Sequence, residues 1–117
     1  MQYQYHDGLL EQVRLDVAAR SVELCFFLYA VFDRPQARVA IRFERIVNFP
    51  AVQAYFADVQ RDAAAEMDDC LDRCEVLQRD TKRPSSARAQ HLFLQLSHYG
   101  RLKIHCESVV EELVPEP

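Results

Sequence analysis

Residues 92–106 read LFLQLSHYGRLKIHC, and this stretch decides the fold class. Leu92, Leu94 and Leu96 alternate with Phe93, Gln95 and Ser97, while Leu102, Ile104 and Cys106 alternate with Lys103, His105 and Glu107. A period of two marks strands that bury one face, and the short link His98-Tyr99-Gly100 between two such runs marks a hairpin. The chain is therefore expected to be built on antiparallel strands.

The same period recurs towards the N-terminus. Leu9, Val13, Leu15 and Val17 are apolar against Gln12, Arg14 and Asp16, with Glu11 as the one misfit. A turn is expected over Ala18 to Ser21. Val22, Leu24, Phe26, Leu28, Ala30 and Phe32 then line one face of a second strand. Its other face, Cys25, Phe27, Tyr29 and Val31, is nearly as apolar, so this strand is read as central and covered on both sides. Asp33-Arg34-Pro35-Gln36 carries turn chemistry. In a third strand Val39, Ile41 and Phe43 face inward, and the alternation slips at Glu44-Arg45, the mark of a bulge. Asn48 can cap a helix whose first turn tolerates Pro50, and Val52, Tyr55, Phe56, Val59 and Ala63 fall at helical spacing, predicting a helix from about Phe49 to Ala64.

Beyond it two readings compete. Met67, Cys70, Cys74 and Leu77 extend the helical stripe, yet Cys74-Glu75-Val76-Leu77 also reads as a strand; a break near Glu66 to Asp69 and a strand from Arg73 to Arg79 is preferred. Residues 80–89 are expected to form an exposed loop and residues 111–117 a C-terminal tail. The sum is one globular domain over residues 1–117, of α+β class and mostly antiparallel, with about six strands and one amphipathic helix. A curved sheet, a partial barrel and a two-layer sandwich all fit.

Composition narrows the function classes. Half the residues are hydrophobic and twelve are Phe or Tyr, enough for a core without disulfides or metal. With glycine only at Gly8 and Gly100, no phosphate-cradling loop is expected. A formal charge of −4 argues against nonspecific nucleic-acid binding, yet leaves room for a local basic patch. MQYQYHDGLLEQ lacks the pattern of a signal peptide, and the longest apolar run, Leu24 to Phe32, is too short to cross a bilayer, so a cytoplasmic chain with reduced cysteines is expected.

His6-Asp7 brings to mind metal-dependent phosphohydrolases that use a His-Asp doublet, but those domains are helical bundles. The plainer reading is that Asp7 satisfies the turn at Gly8 while His6 packs at a sheet edge. Cys70-x-x-x-Cys74 supplies one pair of zinc ligands where a structural site needs four, and His91, His98 and His105 scatter over a strand start, a turn and a strand face. Cys25 and Cys106 fit small buried hydrophobes. No nucleophile motif is present, so neither cofactor nor metal is expected and catalysis is disfavoured. A ligand-binding or metal-dependent enzyme using His6 and Asp7, with His105, stays as an alternative. It predicts a concave pocket where these side chains meet.

Charge is the more informative pattern. From Asp58 to Asp80 eight acids stand against three bases. Such a run can simply be a solvated face that aids solubility, or an acidic surface that steers a basic partner into place. The opening Tyr5-His6-Asp7-x-x-Leu10, the runs VELCFFL (22–28) and VAIRF (39–43), the NFP helix entry at 48–50 and the closing LFLQL (92–96) and LKIHC (102–106) resemble small uncharacterised bacterial β-rich domains. Some of these are similar to immunity proteins that neutralise toxins encoded beside them. The resemblance departs from any firm match over Arg61 to Thr81. It implies binding to another protein and carries over no catalytic residue. The expected function is thus a non-catalytic immunity or inhibitor protein, in which Asp62, Glu66, Asp68, Asp69 and Asp72 cover a basic toxin surface. A homo-oligomer that covers Phe27 and Tyr29 is a further alternative.

Overall fold

A computed structural model describes residues 3–31, 34–66, 70–83 and 89–115, with 63–66 described by backbone alone. In chain order the elements are β1 (Leu9–Asp16), β2 (Ser21–Leu28), β3 (Ala37–Glu44), α1 (Phe49–Glu66), β4 (Asp72–Arg79), β5 (Gln90–Leu96), β6 (Arg101–Cys106) and β7 (Ser108–Leu113). The strands form one antiparallel sheet in the order β6-β5-β4-β1-β2-β3-β7. The α+β class and the single helix are as expected, and the sheet is an open curve with seven strands.

The topology dictates that curve. β6 and β7 lie at opposite edges of the sheet, yet only Glu107 separates them in sequence. Seven flat strands would set those edges about 29 Å apart at about 4.8 Å per strand, whereas two residue steps reach about 7 Å. The sheet must curl until its edges meet at the Glu107 corner. There the Glu107 N–H donates to Glu44 O (3.0 Å) and the Val47 N–H to His105 O (2.7 Å).

Asn48 completes this seam. Its carbonyl accepts the first helical N–H groups, from Ala51 and Val52, as a cap residue's should. Its side chain turns away to the edge of β6, donating to Lys103 O (2.7 Å) and accepting from His105 N–H (3.0 Å). Capping position and seam contact thus fall on one residue, and α1 starts where the sheet edges meet. Phe49, Val52, Phe56 and Val59 point from α1 into the shared hydrophobic interior, and the helix lies against β6 and β1.

Two bulges explain the irregular periodicity. Leu10 pairs with Phe26 and Gln12 with Cys25, so Glu11 is an extra residue in β1. A bulge reverses which parity faces inward. Hence Leu10 and Val13 are buried, while Leu9 lies opposite Phe27 on the outer side and does not share the face of Val13; Val17 falls in the following turn and is exposed. β4 carries a second bulge between Cys74 and Val76, which puts Cys74 and Leu77 both inside. The slip read at Glu44-Arg45 is the end of β3, with Arg45 in the left-handed region (φ 51°).

Three further differences have local causes. β2 stops at Leu28, and among the described residues no second layer covers its outer face: Cys25 and Phe27 are half-buried, and beyond the strand Tyr29 and Val31 are each 52% exposed. Phe27 takes its cover from Arg38, 5.2 Å from the ring centre, and from Tyr29 edge-on. The chain from 111 to 113, expected in a tail, belongs to β7, which pairs with β3 from Val39↔Leu113 to Glu44↔Ser108. An edge strand whose residues are mostly half-buried shows no inside-outside alternation, so this seventh strand left no period in the sequence. The loop expected over 80–89 turns at 81–83, with Asp80 buried; 84–88 lie outside the described residues, as does the break expected at 67–69.

Tyr5-His6-Asp7-Gly8 forms the turn into β1. Asp7 is left-handed (φ 64°), and the Gly8 N–H donates to Tyr5 O (2.9 Å). A Cβ on Gly8 would sit 2.7 Å from Leu28 Cδ2 and 3.0 Å from Tyr5 O, so any side chain there would have to push both aside. Tyr5 itself is buried against Phe26 and donates its hydroxyl to Glu111 Oε2 (2.7 Å) on β7.

If Asn48 holds the seam, Asn48→Ala should lower stability by about 1–3 kcal/mol, because it leaves Lys103 O and the His105 N–H without their side-chain partners. Urea unfolding measures this; a loss no larger than that of an exposed Gln53→Ala control on α1 would remove Asn48 from the closure.

Candidate functional site

The richest polar cluster among the described residues surrounds the turn joining β5 to β6. Asp72, the first residue of β4, accepts the His98 N–H at Oδ2 (3.0 Å), and its Oδ1 lies 2.9 Å from His98 Nδ1. The Arg73 N–H also donates to Oδ1 (2.8 Å). The Asp72 side chain is 4% exposed and that of His98 83% exposed. An ionised carboxylate can only accept, so the Nδ1 in this contact carries a proton.

The neighbouring residue ties the turn to the helix. Tyr99 donates its hydroxyl to Asp62 Oδ2 (2.7 Å), while the Tyr55 hydroxyl donates to Gly100 O (2.9 Å) and accepts the Leu96 N–H (3.3 Å). Burial pushes the Tyr55 pKa up, keeping it a hydroxyl donor. Beside the turn lies a cleft of about 350 Å³ lined by Leu9, Cys70, Asp72, Arg73, Ser97 and His98. The Ser97 hydroxyl is directed to Glu75 Oε1 (2.6 Å), away from the imidazole. A histidine oriented by a buried aspartate can accept or deliver a proton at Nε2, or act as a fixed hydrogen-bonding group in an interface. Among the described residues no three of His, Cys, Asp and Glu are placed to hold a metal ion.

Of the acids expected to form one surface, two meet at this turn. Asp62 is exposed on α1, beside Asp58, and both are near Arg61 (3.8 and 2.8 Å). Asp72, however, is sealed inside the turn with its oxygens engaged, so it cannot be the exposed docking acid that its neighbours in sequence implied. Burial at the start of β4 is the reason. Glu66 ends α1, and Asp68 and Asp69 lie outside the described residues.

The histidine alternative does not assemble. His6 donates from Nδ1 to Glu75 O (2.7 Å) and its Nε2 is 3.4 Å from Asp7 Oδ2. The backbone carbonyl and then Asp7 favour the protonated ring, raising its pKa. His6 lines a groove of about 530 Å³ between Tyr3–His6 and Glu75–Arg79, but Asp7 does not line it. His105 is two strands away on β6, stacked on His91 with centroids 4.2 Å apart; burial, then His91 and Arg83, push its pKa down. The cysteines divide as well. Cys74 and Cys106 are buried, while Cys25, expected to be buried, is half-exposed on the outer face of β2.

Sequence reasoning missed the His98–Asp72 pair. Nothing in the chain links positions 72 and 98; the pairing of β4 with β5, which sets Cys74 opposite Leu96, brings them together.

Two tests follow from this geometry. Asp72→Ala should cost about 2–3 kcal/mol, because it orphans two main-chain donors, and His98→Ala less than about 1 kcal/mol because the main-chain bond to Asp72 survives. Equal losses in thermal or urea unfolding would refute this division. Burial lifts the Cys74 pKa to about 12 and that of Cys106 to about 11. At pH 8 both would be almost entirely thiol, the unreactive form. A disulfide reagent at pH 8 should therefore label Cys25 and Cys70 in the native protein and the other two only at the rate of unfolding; four equally fast thiols would contradict the buried assignments.

A scan against protein-family models found no match to this chain, and searches of curated proteins and of solved structures found none either.

Proposed function

We propose that this chain is a non-catalytic protein-binding module, in its sharpest form an immunity or inhibitor protein that covers a basic partner, such as a toxin, and blocks it by occlusion. The observation that carries this is the placement of Asp62. Its carboxylate is exposed at the surface, held in one orientation by the Tyr99 hydroxyl, and stands beside Asp58 on the solvent side of α1. A fixed carboxylate loses less side-chain entropy on docking than a free one. In sequence Glu66, Asp68 and Asp69 continue the same run of negative charge, which would raise the association rate with a basic surface. Arg61 partly offsets Asp58 and Asp62, so the run has to act as a whole. Asp72 serves by holding the turn that carries Tyr99.

The ligand-binding alternative keeps only the His6 groove, since Asp7 and His105 lie elsewhere. The homo-oligomer alternative is weakened by the cover that Arg38 and Tyr29 give Phe27. No helix of the described chain is long and apolar enough to cross a membrane.

The deciding experiment uses a partner captured on the tagged protein and purified. Neutral replacement of Asp58, Asp62, Glu66, Asp68 and Asp69 by Asn or Gln, with Asp72 kept, should weaken binding at least about tenfold and flatten its salt dependence. An unchanged affinity and salt dependence would sink the electrostatic mechanism.

A further inference from the structure

We infer that the outer face of the β5–β6 hairpin binds single-stranded nucleic acid, through a surface separate from the acidic one proposed above. β5 presents His91, Phe93 and Gln95 on this face and β6 presents Arg101, Lys103 and His105, because the alternating leucines, Ile104 and Cys106 point into the core. Register sets them in three cross-strand rows: His91 opposite His105, Phe93 opposite Lys103, and Gln95 opposite Arg101.

Positive charge is uncompensated here. On the other half of the sheet Arg38 pairs with Glu11, Arg42 with Glu23 and Glu44, and Arg45 with Glu107. Among the described residues Arg101 and Lys103 form no ion pair. Both are exposed and lie over the Phe93 ring, 5.2 and 6.0 Å from its centre. Arg101, Lys103 and His105 follow one another at about 6.7 Å along β6, twice the rise per residue. In a chain of formal charge −4 this strip is a local reversal of sign.

The rings decide between negatively charged partners. An acidic protein surface would satisfy the cations and leave the Phe93 ring and the stacked imidazoles without a role. A duplex offers phosphates but keeps its base faces stacked inside. A single strand offers both, phosphates to Arg101 and Lys103 and base faces to the rings. In the free protein the two cations cover Phe93; a phosphate draws them off the ring, and a base takes their place. Val47 and Asn48 already occupy the outer edge of β6, so binding is on the face of the sheet and adds no strand.

The test is fluorescence anisotropy with a labelled oligouridine of about twelve nucleotides, the same sequence in a duplex, and polyaspartate as competitor, over a range of salt. The single strand should bind more tightly than the duplex and resist polyaspartate. Arg101→Gln with Lys103→Gln should lower the slope of log affinity against log salt by about 1.4, for two phosphate contacts on a single strand. Phe93→Leu should weaken binding at least about fivefold with the slope unchanged. Arg101→Lys with Lys103→Arg, which keeps charge and face, should retain the slope and shows that the hairpin tolerates change; Arg38→Gln, on the other half of the sheet, should bind as the parent does. No binding at low salt, equal binding of the duplex, full displacement by polyaspartate, or an unaffected Phe93→Leu variant each overturns the proposal.

Discussion

Glu107 alone links two strands that stand at opposite edges of the sheet, and this chain-length constraint governs the rest of the structure. One residue cannot bridge a flat sheet of this width, so the strands coil around a common interior until β3 and β6 meet beside the corner. The bonds at the seam are few. Main-chain bonds from Glu107 and Val47 and the two bonds of the Asn48 amide do there what a full ladder does in a closed barrel.

Curling needs local irregularity, and the two bulges supply it. The bulges in β1 and β4 flank the place where those strands pair through only Leu9↔Arg73 and Leu10↔Asp72. A bulge increases twist and bends the strand that carries it, so β1 and β4 both bend beside their short ladder. The same join is tied on the N-terminal side by Asp7 N–H to Cys74 O and Cys74 N–H to Gly8 O, both 2.8 Å. The interior takes up the apolar side of α1 and the Tyr5 ring. Solvent meets the outer face of the sheet and the exposed side of α1.

Those outer surfaces are sorted by charge. The exposed side of α1 carries Asp58 and Asp62, and the hairpin face carries Arg101 and Lys103 over Phe93. Between them the His98-Tyr99 turn acts as a clamp, because Asp72 on β4 and Asp62 on α1 hold consecutive residues of it. The alternation in 92–106 already contained the basic strip, since Phe93, Gln95, Arg101, Lys103 and His105 are the polar or aromatic members of their strands. Its separation from the acids was not visible, because net charge sums over faces that never meet. The fate of Asp72 was equally hidden. In sequence it is one acid among eight, and only the turn folding over it buries the carboxylate.

The sequence by itself determined the class of the fold: period-two runs named β2, β3, β5 and β6, helical spacing from Val52 to Val59 named α1, and both follow from burying one face of a local element. Tertiary structure alone decided what depends on residues far apart in the chain. Glu11 looked like a misfit until its partners Phe26 and Cys25 showed that it was an extra residue. β7 had no period of its own because its place is set by β3, roughly seventy residues earlier. Asn48 looked like a helix cap, and its amide was claimed by β6 because closing the sheet left a carbonyl and an N–H there without partners. His98 met Asp72 through strand pairing, which no spacing records. Local patterns encode which face of an element is buried, whereas register, closure and the company of a side chain are fixed only when the whole sheet is formed.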